Sequence, residues 1–158
     1  GEVNLRAAPS PPSEKKDFEV LNLEAPTPTL RRLTYVCVLI PRFPHHRLEG
    51  DLAEQLEDWM KELSVAFGWR LEYLMIHPDY MQWKVTVQPA ISPQVMLEVF
   101  CNKTSDRIFE HFPKLFQGNP SGAFWAPGYL MINGQDPLPL SLIQGFIAKT
   151  RKFQGLSS

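Results

Sequence analysis

The chain has 158 residues, 44% hydrophobic and 21% charged, with a formal net charge of −1. That is the composition of one soluble globular domain with a tail, and no run of 18 apolar residues offers a membrane span. The near-neutral balance argues against indiscriminate, charge-driven attraction to nucleic acid, and it persists without residues 1–30, at 13 Lys+Arg against 12 Asp+Glu.

Residues 1–30 read as a flexible, Pro-rich tail: "AAPSPPSEKK" and "EAPTPTL" cannot build a core. Within it, "DFEVLNL" (residues 17–23) is a candidate adhesive segment, able to dock on the domain or on a protein partner through residues 17–24 as an added strand. The folded domain is expected over residues 31–155. "LTYVCVLIP" predicts a central strand apolar on both faces and ended by Pro41. "RFPHHRLEG" is a basic loop. "DLAEQLEDWMKELSVAFG" predicts a helix, with Leu52, Leu56, Trp59, Leu63 and Phe67 on one face and Gly68 as its stop.

"WRLEYLMIH" predicts a second strand, with Pro78-Asp79 as the turn. In "QWKVTVQ", a third strand, Trp83, Val85 and Val87 point one way and Lys84 and Thr86 the other. Ser92 can cap a helix with Pro93 at its first position, carrying Val95, Met96, Val99 and Phe100 and running into "KTSDRIFEHF". "QGNPSGAFW" is a loop, and "GYLMING" a fourth strand. "LPLSLIQGFIAKTRKF" is a last helix, with Lys149, Arg151 and Lys152 at its C-terminal end, where the helix dipole favours cations. The order βαββαβα is that of an α+β, ferredoxin-like (RRM-like) split βαβ fold: an antiparallel sheet with two helices on one face, plus an added C-terminal helix.

Few residues invite chemistry. No P-loop, GxGxxG, HExxH or GxSxG is present. His45-His46 read as a solvated loop pair, and His77 as a structural strand-end residue. Ser105 and Asp106 suit a helix surface. Cys37 and Cys101 form no CxxC; lying in apolar runs, they read as free thiols in a reducing cytoplasm, and the N-terminus shows no signal peptide. No metal site or cofactor is implied. Arg42, Arg47, Lys84, Lys103 and Arg107, with Trp83 as a stacking platform, form a candidate nucleic-acid surface; the alternative is a solvated charged face over core aromatics.

Read together, five segments resemble one family. "TYVCVLIPRF", "EQLEDWMKELSVAFGWRLEYLMIHPDYMQWKVTVQP", "LEVFCNKTSDRIFEHFPKL", "FWAPGYLMING" and "IQGFIAKTRK" are similar, in order and at the right separation, to segments of the small single-tyrosine HUH transposases, including the repeat-associated tyrosine transposases. The resemblance covers roughly residues 33–152. In that family two histidines hold a divalent metal that polarises a scissile phosphate of single-stranded DNA, and a tyrosine on the last helix attacks it. A Gln one turn later completes the metal site. The resemblance implies recognition of DNA hairpins and a homodimer.

Carried across, the family's two histidines fall on Tyr80 and Gln82, its nucleophilic tyrosine on Phe146, and its Gln on Thr150. A phenylalanine has no oxygen to attack with, and Tyr80 and Gln82 are poor divalent ligands beside paired imidazoles. The expectation is a scaffold kept after catalysis was abandoned, binding hairpin or single-stranded DNA or RNA. A protein-interaction module in a larger complex is the alternative, and a nickase using Tyr80 as a relocated nucleophile a third reading.

Overall fold

A computed structural model describes residues 4–5, 33–134 and 136–156. Its elements are β1 (Asn4–Leu5), β2 (Leu33–Leu39), α1 (Gly50–Phe67), β3 (Arg70–His77), β4 (Tyr80–Val87), α2 (Pro93–His111), α3 (Pro113–Gln117), β5 (Leu130–Asn133) and α4 (Leu140–Phe153). The sheet runs β1-β5-β2-β4-β3, every pair antiparallel. Without β1, this is the strand order of the ferredoxin-like split βαβ fold, so the expected class holds. Residues 17–24 lie outside the described residues.

Alternation along the strands assigns each face. Tyr35, Cys37, Leu39, Met81, Trp83, Val85 and Val87 join the buried side chains of α1 and α2 in the larger core. Val36, Val38, Ile40, Tyr80 and Leu130 join Ile143 and Phe146 of α4 in a second cluster. The sheet is therefore covered on both faces, by α1 and α2 on one and by α4 on the other.

Local signals behave as their chemistry requires. Gly68 takes φ 74 and its N–H bonds back to the last turn of α1, a left-handed stop that a side chain would strain. Ser92 Oγ accepts the Val95 N–H at 3.1 Å as the cap of α2. Pro78-Asp79 forms a two-residue hairpin with His77 opposite Tyr80. Strand β4 starts at Tyr80, two residues before the expected start, because the hairpin pairs it at once.

One other expectation shifts. Phe67 is 41% exposed, stacked on Trp69 where the chain leaves the helix. Leu140 is exposed at the first turn of α4, before the helix meets the sheet. The "FPKL" stretch forms its own short helix, α3, because Pro113 has no N–H to continue α2 and instead takes an N-terminal position. Among the described residues no helix is long and apolar enough to cross a membrane.

Candidate functional site

The site is built where β4 leaves the Pro78-Asp79 corner under α4. Odd residues of β4 face α1 and α2, so even ones face α4. This single rule sends Tyr80 and Gln82 to the same face as Phe146. Tyr80 and Phe146, 8% and 7% exposed, pack in one apolar cluster with Val38, Ile40 and Ile143. The Tyr80 ring stacks on His77, centroids 4.6 Å apart. Burial, and then the neighbouring Asp79 charge, raise the Tyr80 phenol above its ordinary pKa, so it stays protonated.

Gln82 is buried too, and its carboxamide oxygen accepts the Leu138 N–H at 2.7 Å. That bond ties the segment leading into α4 to the centre of the sheet. At the other end, the Arg151 guanidinium and the Gln154 carboxamide both donate to the Arg42 carbonyl, each at 2.9 Å. Arg151 lies in the last turn of the helix, as expected, but its side chain turns inward and is buried. Burial lowers its pKa, partly offset by the charge of Asp79. The helix is thus clamped over the sheet at both ends, with Phe146 between the clamps.

This donor set does not fit a divalent ion. The Gln82 oxygen is spent on Leu138, the Tyr80 phenol is held protonated, and Thr150 is buried. Among the described residues no three His, Cys, Asp or Glu side chains converge as a metal would need.

The expected nucleic-acid residues do not come together. Trp83 is fully buried on the helix face, edge-on to Phe100. Stacking by Trp83 is therefore corrected: strand alternation turns it into the core, where no base reaches it. Lys84, by the same alternation, lies on the α4 face of the sheet, two residues beyond Gln82. Arg107 of α2 pairs with Glu62 of α1 at 2.8 Å, and Lys103 is exposed on α2. Arg47 pairs with Asp79 at 2.9 Å and with Glu49 at 3.7 Å, bracing the corner, and the Leu48 N–H bonds the Pro78 carbonyl. Arg42 is half-buried beside it. The cations thus divide between the corner, the α1–α2 layer and the α4 face of the sheet.

Neither thiol is poised for chemistry: burial pushes Cys37 well up and Cys101 to about 12. Sequence reading missed the Gln82–Leu138 and Arg151–Arg42 contacts, which join residues 56 and 109 apart; neither leaves a local pattern.

Comparison with known proteins gives this frame a lineage. A solved structure assigned as a transposase of Deinococcus radiodurans shares the fold, with a TM-score of 0.69, at 21% identity, over 82% of this chain and 95% of that one. The ISDra2 transposase TnpA of Deinococcus radiodurans is 20% identical over 101 residues, covering 64% of this chain and 72% of that protein. The sequence profile described as "Transposase IS200 like" matches residues 29–150. A match over that much of the chain shows descent as well as shape, and the chain belongs to the IS200-like transposase family.

Proposed function

We propose that this chain is a family member that no longer cleaves, and that binds a hairpin or single-stranded nucleic acid. The observation that carries the first half is the occupied corner. The positions where the resemblance places metal ligands and nucleophile hold Tyr80 and Gln82 of β4 and Phe146 and Thr150 of α4, all buried. Cleavage needs a nucleophile and a group to polarise the phosphate, and these residues supply neither. A Tyr80 nucleophile is disfavoured by the raised pKa and the apolar packing of its ring.

The binding half rests on family membership; Arg42, Arg47, Lys84, Lys103 and Arg107, on separate surfaces, are its candidate contacts. A homodimer and a cytoplasmic location belong to the same reading. The test is retention of labelled hairpin DNA and RNA by the full chain over a salt series. Affinity should fall steeply with salt, and Lys103→Glu should weaken it about equally for all sequences. No salt-dependent retention at micromolar protein would end the reading.

A protein-interaction module is the second reading. It is favoured by the ion pairs that already engage Arg47 and Arg107, and by exposed Val65, Phe116 and Phe153. Its docking segment would be residues 17–24, and loss of partner capture on replacing Phe18, Val20 and Leu23 would support it.

A further inference from the structure

Outside the corner, the most developed concavity is a groove of about 560 Å³ between the loop after β2, the start of α1 and the α2–α3 junction. Leu52, Phe112 and Leu115, buried or half-buried, supply its apolar lining, and His45, His111 and Lys114 line it as exposed side chains. Arg47 lines it too, but is held by Asp79 and Glu49. The Lys114 ammonium forms no ion pair among the described residues, so the open charge of the groove is positive. Apolar surface beside an unpaired cation suits a short peptide segment that carries both apolar side chains and carboxylates.

The chain carries such a segment within reach. Leu5 pairs with Leu130, and Leu130 with Val38, so Leu5 lies at the end of the sheet where the loop lining the groove begins. Leu33, where β2 starts, lies at the opposite end, paired with Val87. Residues 6–32 join these two points, so their covalent path leads from the groove end of the sheet back to the far end. Between Leu33 and Leu39, β2 rises about 20 Å. Residues 25–32 can span about 30 Å and residues 6–16 about 40 Å, so both tethers are long enough to bring residues 17–24 to the groove.

We propose that this groove is the docking site of the chain's own residues 17–24, "DFEVLNLE". The segment carries Asp17, Glu19 and Glu24 and no cation, the two lysines before it ending at Lys16. Phe18 is the one aromatic side chain in residues 6–32, and it stands between two carboxylates. Phe18 fills the apolar lining of Leu52, Phe112 and Leu115, and the flanking Asp17 and Glu19 face Lys114 and the imidazoles of His45 and His111. A purely apolar occupant leaves Lys114 unpaired, and a purely anionic one leaves the apolar lining wet. A segment tethered at both ends meets the groove at an effective concentration on the order of 1 mM, so contacts too weak to hold a separate peptide suffice. Docking also withholds the segment from other proteins: a partner that captures residues 17–24 has to displace them from the groove first.

A nitroxide spin label on Asn22→Cys in the full chain reads the docking by NMR. The unsubstituted chain, whose Cys37 and Cys101 thiols burial keeps protonated, is the labelling control. The amide signals of Leu52, Lys114 and Leu115 should broaden strongly, and those of Arg70 and Val87, at the far end of the sheet, several-fold less. Phe18→Ser should remove most of the broadening at the groove. Lys114→Glu should weaken the docking equilibrium about five-fold, with the signals of β2 and β4 in place. Spin-labelled chain mixed with isotope-enriched, unlabelled chain should leave the enriched signals sharp, as docking within one molecule requires. No broadening at the groove, broadening undiminished in either variant, or broadening only in the mixed sample would each overturn the inference. It stands apart from nucleic-acid binding: failed oligonucleotide retention leaves the docking intact, and failed docking leaves the proposed function intact.

Discussion

The two faces of the sheet are instructive side by side. The face under α1 and α2 is a conventional core: Trp83, Phe100, Met60, Leu56 and Ile108 are fully buried, with Trp83 edge-on to Phe100. The face under α4 is smaller and mixed. It combines an apolar cluster around Tyr80 and Phe146 with the buried Gln82–Leu138 bond and the inward-turned Arg151. The first face is filled mainly by volume and apolarity, its buried Thr104 and Ser105 hydroxyls accepting the Trp125 indole N–H and the Phe124 backbone N–H. The second carries polar groups that each demand a particular partner.

This contrast can be broken experimentally, most severely on the helix face. Trp83→Ala should cost about 4 kcal/mol of stability, through lost burial and a cavity in a packed core. Urea unfolding would measure it; a cost under about 1 kcal/mol would mean that Trp83 is not the core residue described. Phe146→Ala should cost about 3 kcal/mol, because its cluster is smaller and nearer solvent. If the two losses were reversed, α4 rather than the helix pair would dominate the fold.

Gln82→Ala sharpens the comparison differently. It removes little apolar area, but leaves the Leu138 N–H unsatisfied, at a cost of about 1–2 kcal/mol. Faster amide exchange at Leu138 and along the first turn of α4, with β2 unaffected, would identify the bond as the clamp. The mildest test concerns His46. Burial lowers its folded pKa below the unfolded value near 6.5, so the unfolded chain binds the proton first. Its contribution is complete above about pH 6.5 and shrinks as pH falls, levelling off once folded His46 also protonates. The melting temperature of His46→Phe should therefore fall less than that of the unsubstituted chain between about pH 7.5 and about pH 5.5.

The fold was largely legible because its signals are local. Strand alternation placed Trp83, Val85 and Val87 opposite Lys84 and Thr86, and Gly68 and Ser92 marked helix ends by conformational preference and capping chemistry. The same alternation puts Trp83 on the face that α1 and α2 cover, and so in the core. The clamp was not legible: a glutamine in a strand and an arginine near a helix end suit solvent as well as burial, and only the tertiary approach of α4 decides. The division of the cations across separate surfaces was hidden for the same reason. The β1 pairing at Asn4–Leu5 has no pattern beyond two residues to announce it.

The account turns on the loss of cleavage, and one measurement addresses it directly. The full chain is incubated with end-labelled hairpin and single-stranded DNA and Mg²⁺ or Mn²⁺, and the products are resolved under denaturing conditions. The account predicts intact DNA and no protein-linked label. A covalent adduct that disappears in Tyr80→Phe would contradict it, and would make the corner an active site with a relocated nucleophile.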